Sequence, residues 1–148
     1  MDIKQQDFVD VPLFELTAFT IHELSNKGLQ TYIIGETGVR YEDRYTISKM
    51  NYTDNSQDFI ANMKSDNGIY KKNMVYLDGN VIYVREDGIT FETQKATYNT
   101  ETSVAKAKSD YIAHKGKSTM VGDIMNYNSL LKLLDSENVT VKYQLKEK

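Results

Sequence analysis

The chain has 148 residues, enough for one domain that buries about two-thirds of its unfolded surface. Its 21 acidic against 18 basic residues give a net charge of -3, which argues against a nucleic-acid partner, since such proteins carry a basic face. With no cysteine, stability must come from an apolar core rather than disulfides, and no run approaches the ~20 apolar residues of a membrane-spanning helix.

Residues 1–10 read as a flexible polar segment, of the kind left when an upstream anchor is removed. One continuous domain is expected over residues 11–145, with a charged tail at 146–148. Leu13 to Leu29 supports two readings. Thr20-Ile21-His22-Glu23 fits a helix capping box, whereas Phe19, Ile21 and Glu23 alternate as in a strand, and Thr17, Thr20 and Thr31 favour extended chain.

Beyond it, turn signals recur roughly every 10 residues. They are Asn26-Lys27-Gly28, Glu36-Thr37-Gly38, Asp54-Asn55-Ser56, Asp66-Asn67-Gly68, Asp78-Gly79-Asn80, Asp87-Gly88, Lys115-Gly116-Lys117 and Asp135-Ser136-Glu137-Asn138. This spacing predicts an all-β sandwich, barrel or solenoid. From Val75 onward the signals predict hairpins: Val75-Tyr76-Leu77, a turn at Asp78-Gly79-Asn80, Val81-Ile82-Tyr83-Val84, a turn at Glu86-Asp87-Gly88, then Ile89-Thr90-Phe91-Glu92-Thr93. Glycine supplies the positive φ of such turns, and aspartate tolerates it. In the last run Ile89, Phe91 and Thr93 share one face.

A weak internal repeat accompanies these strands. Val39-Arg40-Tyr41, Ala96-Thr97-Tyr98 and Met125-Asn126-Tyr127 are each followed, six residues after the tyrosine, by Ile47, Val104 or Leu133. The even spacing predicts strand–turn–strand units with each set on one face. Asn128 to Leu134 fits a short helix or a strand flanked by turns.

At the C-terminus Val139, Val141, Tyr143 and Leu145 alternate with Thr140, Lys142 and Gln144, predicting a terminal strand. Lying last, it leaves an edge able to pair with another chain. Val139, Thr140, Val141, Lys142, Tyr143, Gln144 and Leu145 are therefore the candidate partner-docking edge, which also allows edge-to-edge self-association. On pattern alone an ordinary terminal strand blunted by Lys146-Glu147-Lys148 fits better.

Chemistry is sparse. His22 and His114 lack the clustered partners of a metal site, and Gly35-Glu36-Thr37-Gly38 lacks the Gly-Lys-Ser/Thr of a phosphate loop. Glu42-Asp43 and Glu86-Asp87 read as solvated turn acids rather than as acid–base pairs. No Gly-x-Ser-x-Gly elbow is present. No catalytic residue, metal site or cofactor is assigned, and the chain reads as a non-enzyme. What remains is an apolar face rich in Ile, Val, Phe, Tyr and Met. It fits either a fully filled core or an apolar groove between curved sheets that accepts acyl chains.

The order of motifs adds a resemblance. Pro12-Leu13-Phe14-Glu15-Leu16-Thr17-Ala18-Phe19-Thr20, Gly28-Leu29 and Val39-Arg40-Tyr41 are followed by Ile60-Ala61-Asn62-Met63-Lys64-Ser65-Asp66-Asn67-Gly68. Then come Val75-Tyr76-Leu77-Asp78-Gly79-Asn80-Val81, Phe91-Glu92-Thr93, Ala96-Thr97-Tyr98 and Thr102-Ser103-Val104. Val121-Gly122, Met125-Asn126-Tyr127, Leu131-Lys132-Leu133 and Asn138-Val139-Thr140-Val141-Lys142-Tyr143 complete the set. From Pro12 to Tyr143 the chain resembles the lipopolysaccharide-export proteins of the LptC type, which share their fold with LptA. Asp110-Tyr111-Ile112 stands where that family often has Pro-Val, and the anchoring helix expected ahead of Pro12 is missing, which leaves LptC against LptA open.

The resemblance implies an all-β fold: a twisted, boat-shaped antiparallel β-jellyroll of two facing curved sheets whose interior shields acyl chains. It implies a non-catalytic periplasmic protein tethered to the inner membrane by an N-terminal helix absent from this chain. Its partners would be lipopolysaccharide, an inner-membrane ABC transporter complex that supplies it, and an LptA-like bridge protein that receives it. Within the best-matching half, Ile89, Phe91, Tyr98, Val121, Met125, Tyr127, Val139, Val141 and Tyr143 lie on apolar alternating faces and are the candidate groove residues. The alternative is a β-sandwich that binds carbohydrate or protein through surface loops, with a closed and fully packed interior.

Overall fold

The computed structural model describes residues 10–24, 28, 30–55, 59–128 and 133–142. Six long strands come first: β1 (Phe14–Leu24), β2 (Gln30–Arg40), β3 (Tyr45–Asp54), β4 (Ala61–Lys71), β5 (Met74–Arg85) and β6 (Ile89–Asn99). Six short ones follow: β7 (Val104–Ala107), β8 (Tyr111–Lys115), β9 (Ser118–Gly122), β10 (Ile124–Asn128), β11 (Leu133–Glu137) and β12 (Thr140–Lys142). All belong to one antiparallel sheet, in which β1 to β6 are neighbours in chain order. Leu13 to Leu29 takes its strand reading over Phe14–Leu24. Of Asn128 to Leu134, the ends lie in β10 and β11, and residues 129–132 lie outside the described residues.

At β6 the sheet forks. Ile89–Thr93 pairs with β8, whereas Ala96–Asn99 pairs with β7. One limb continues as β8–β9–β12 and the other as β7–β10–β11.

The fork has its origin in the middle of every long strand. Ala18, Lys49, Gly79 and Asn80 have φ of 48°, 53°, 88° and 48°, and the ladders skip or shift register beside them. There the buried side changes phase: Ile47 is followed by Met50 and Tyr52, and Met63 and Ser65 by Gly68. An extra residue of this kind bends and twists its strand. The bends align into a keel, and the sheet folds back along it into two facing walls.

The upper wall holds Phe19–Leu24, Ile33, Met50–Asp54, Ala61–Ser65, Val81–Arg85, Ile89–Thr93 and the limb β8–β9–β12. The lower wall holds Phe14–Thr17, Ile47, Gly68, Val75, Leu77, Tyr98 and the limb β7–β10–β11. The short strands obey the same plan, since the chain crosses the keel at 108–110, at Asp123 and at 138–139. Their free margins, where the hairpin turns lie, form two lips.

The sequence reading of turns needs correction on this point. Asp87-Gly88 and Lys115-Gly116-Lys117 are hairpin turns at a lip. Glu36-Thr37-Gly38, Asp66-Asn67-Gly68 and Asp78-Gly79-Asn80 are instead bends inside β2, β4 and β5. Both sites need the positive φ or loose pairing that Asp, Asn and Gly tolerate, so both carry the same residues. Val75–Leu77 and Val81–Val84 are thus one strand rather than the two arms of a hairpin. The apolar-x-Tyr repeat does mark hairpins, but its sets do not share a face. Tyr98 and Tyr127 lie beside Asn99 and Asn128, which pair with Val104 and Leu133 after the chain has reversed.

The core fills the space between the walls on the β1 side. Ile33, Ile47, Met50, Tyr52, Met63, Val75, Leu77, Val81 and Tyr98 form one buried cluster drawn from both walls. Packing there leaves no slack: a Cβ added at Gly68 would lie 1.9 Å from the Met50 sulfur.

Candidate functional site

One row of inward residues crosses nine strands in register: Ile21, Ile33, Tyr52, Met63, Tyr83, Phe91, Ala113, Met120 and Val141. On the β1 side this row is packed under the lower wall. On the far side of β6 the limbs diverge and leave a cavity of about 230 Å³. Its upper wall is Tyr83, Ile89, Phe91, Ala113, Met120 and Val141; its lower wall is Ala96, Ala105, Met125, Tyr127 and Leu134. Phe91 stacks on Tyr111 with ring centroids 5.0 Å apart, fixing the floor beside the keel. Leu134 and Val141, on the terminal strands of the two limbs, are 43% and 53% exposed and frame a mouth. The apolar face is thus a filled core on the β1 side, while beyond β6 a smaller buried cluster of Phe91, Ala107, Tyr111 and Met125 borders the cavity.

Of the candidate groove residues, the fold brings Ile89, Phe91, Met125, Tyr127 and Val141 together around the cavity. Three are placed elsewhere. Tyr98 belongs to the packed cluster, and its hydroxyl donates to Asp54 Oδ2 at 2.6 Å. Val121 faces outward, paired with Ile112 and Thr140, because the alternation of β9 turns Met120 inward. Val139 is 40% exposed in the keel crossing between β11 and β12, ahead of the strand it was expected to begin. Tyr143, with Gln144 and Leu145 of the predicted edge, lies outside the described residues. Among the described residues, Thr140–Lys142 of that edge pairs with β9 alone.

Residues 14–144 match the LptC family, described as lipopolysaccharide-assembly, LptC-related. The chain belongs to this family. Membership carries a role in lipopolysaccharide transport. The fold is similar to that of LptH from Pseudomonas aeruginosa, whose crystal structure is described as the LptA homologous periplasmic component of the conserved lipopolysaccharide transport device. The TM-score is 0.53 at 9% sequence identity, covering 93% of this chain and 99% of that one. The all-β jellyroll expected from the sequence is thus the fold of this LptC-related chain. Comparison with curated protein sequences gives no significant match.

Met63, Val81, Tyr83, Ala113, Met120 and Leu134 also line the LptC-related cavity and escaped the sequence reading. Tyr83 was within reach, since it stands opposite Phe91 across a turn the sequence did reveal. Burial pushes the Tyr83 hydroxyl up to about 12, so it stays neutral against the apolar wall.

Polar groups gather at the lips. Arg85 holds Asp87 through two bonds, Nη2 to Oδ2 at 2.7 Å and Nε to Oδ1 at 2.8 Å. The arginine keeps the Asp87 carboxyl below the usual carboxylate range. Its Nη1 also donates to Tyr127 Oη at 2.7 Å, from the upper wall to the lower. His22 and His114 lie on separate strands, β1 and β8. Among the described residues no three His, Cys, Asp or Glu side chains are grouped to hold a metal ion.

Proposed function

We propose that this domain, spanning residues 11–145, receives lipopolysaccharide in the periplasm and shelters its acyl chains in the hollow half of the interior. It then hands the lipid to a following β-jellyroll. The observation that carries this reading is the hollow itself: an apolar-walled space opening between the terminal strands of the two limbs. A cavity lined by Met, Phe, Ile and Ala favours alkyl chains, because burying their surface is worth about 25 cal/mol per Å² and asks nothing of a polar partner. A loop-binding sandwich has no use for such a space. The walls supply shelter rather than chemistry, so the proposed role is that of a carrier and not an enzyme.

Val141 provides the test. It lines the mouth and is 53% exposed, so a carboxylate there remains hydrated and is tolerated by the fold. Val141→Asp is expected to shift stability by less than about 0.5 kcal/mol. It should weaken uptake of a fluorescent fatty acid or of lipopolysaccharide at least tenfold, a change of about 1.4 kcal/mol. Unchanged uptake by the folded variant would remove the hollow from the lipid path.

The supply side is proposed to be an inner-membrane ABC transporter complex, and the protein is proposed to be tethered to the inner membrane by an N-terminal helix. The receiver is proposed to be an LptA-like protein paired onto the free edges of β11 and β12. Each of these strands is hydrogen-bonded on one side only among the described residues, β11 to β10 and β12 to β9. Such edges add a strand through main-chain hydrogen bonds. A photoreactive residue at Thr140 is expected to give adducts with an LptA-like receiver, and one at Thr20 on the β1 edge is not. The reverse pattern would move the receiver to β1. That outcome would give the terminal limbs to self-association or to the supply side.

A further inference from the structure

Three tyrosines lace the two walls together along their lips. Tyr70 Oη on β4 donates to Glu23 Oε2 on β1 at 2.5 Å. Tyr98 Oη on β6 donates to Asp54 Oδ2 on β3 at 2.6 Å. Tyr127 Oη on β10 accepts from Arg85 Nη1 on β5 at 2.7 Å. Each tyrosine stands on the lower wall and reaches a charged group on the upper wall three strands back in the sheet order. The constant offset is what two twisted, facing walls produce when their strands cross at an angle.

The three ties differ in what breaking them leaves behind. Tyr98 and Asp54 are 4% and 2% exposed, so parting them takes a hydrogen bond from a buried carboxylate at a place water does not reach. Arg85 and Tyr127 are not in that position. Arg85 keeps both bonds to Asp87 when Tyr127 moves away, and Tyr127 is only half-buried at the lip, where water replaces the lost partner.

The backbone allows motion at the same place. Beyond β6 the limbs share no ladder among the described residues. Near the keel Tyr111 and Ser136 hydrogen-bond from one limb to the other, and three chain crossings join them there. The lip side of the hollow half is bridged by Arg85 and Tyr127. As closed, the cavity of about 230 Å³ also lies below the roughly 300–1,000 Å³ of sites that enclose a small ligand.

We propose that the Arg85–Tyr127 bond is a releasable latch. Its release lets the limbs splay about the keel, so that the cavity widens to the size of an alkyl-chain ligand, while Tyr98–Asp54 stays closed as the fixed tie. The ligand part rests on the reading of the hollow half as the lipid site; the latch part stands on the geometry of the lips alone.

The chain has no cysteine, so spin labels attach only where cysteines are introduced. Val84 and Asn126 are exposed neighbours of Arg85 and Tyr127 on opposite lips. With labels at Val84→Cys and Asn126→Cys, pulsed electron spin resonance on the ligand-free protein is expected to give one short distance. Adding Tyr127→Phe, which keeps the ring, should make a longer distance dominant. Tyr70→Phe, at the far end of the seam, should leave the short distance unchanged. Dodecanoate added to the otherwise unaltered labelled protein should produce the same longer distance. A folded Tyr127→Phe protein that keeps the short distance without ligand overturns the latch, whatever it binds. If Tyr127→Phe opens the lips but neither form takes up dodecanoate, the latch stands and the lipid-site reading fails.

Discussion

Replacing Tyr52 by alanine is expected to lower the stability of the fold by about 3–5 kcal/mol, the usual cost of removing a large ring from a closed core. Tyr52 is fully buried, and its ring packs 5.8 Å from that of Tyr98 within the cluster joining the two walls. A domain of this size holds only about 5–15 kcal/mol in total, so the variant should sit close to unfolding at body temperature. Met120 stands in the same inward row on the hollow side. It packs against the Phe91–Met125 cluster on one side only and borders the cavity on the other. It therefore has fewer partner atoms to lose, and Met120→Ala should cost about 1 kcal/mol, under the 2–5 usual for a fully packed methionine. Urea unfolding of both variants gives the comparison directly. Equal losses would mean that the far half of the interior is as full as the near half.

Alkaline unfolding is the second large effect. Burial raises the pKa values of Tyr52 and Tyr98, with the Asp54 carboxylate adding to the rise, and burial brings Tyr83 to about 12. An unfolded tyrosine titrates near 10. The folded state therefore holds protons that the unfolded state has released, and stability falls with rising pH. Below pH ~10 these groups contribute fully; above it the slope from Tyr52 and Tyr98 steepens toward about −3 kcal/mol per pH unit as the unfolded tyrosines ionise. Urea midpoints should be level from pH 8 to about 9.5 and then drop steeply, with tyrosinate absorbance appearing together with loss of structure. Tyr98→Phe should halve the part of the slope carried by this pair. A flat midpoint through pH 11.5 would contradict the buried, neutral state of these rings.

The sequence carried the strand content and the existence of an apolar interior. It did not carry the division of that interior into a fully packed half and a half that keeps a cavity. Alternation identified Ile89 and Phe91 correctly as partners on one wall, because no bend falls between them. It misplaced Val121, since the short strand Ser118–Gly122 offers an apolar residue on each face, Met120 and Val121, and only the pairing with Ala113 decides which turns inward. Tyr98 has the right face but the wrong half, which no local pattern encodes. Mid-strand phase changes hide the rest: around Asp78-Gly79-Asn80 the alternation stops and resumes, which reads like a hairpin when only one strand is in view.

Because every strand line crosses the keel, each contributes one stave to both walls at once. Length along the trough therefore comes in fixed steps of about 4.8 Å, the spacing of neighbouring strands, and the nine-residue inward row spans roughly 40 Å. A further chain paired onto the last staves would lengthen the trough by the same step without altering its bore. Loss of one lip hairpin would remove two steps and bring the ends closer. Reach along the trough is then a matter of counting strands.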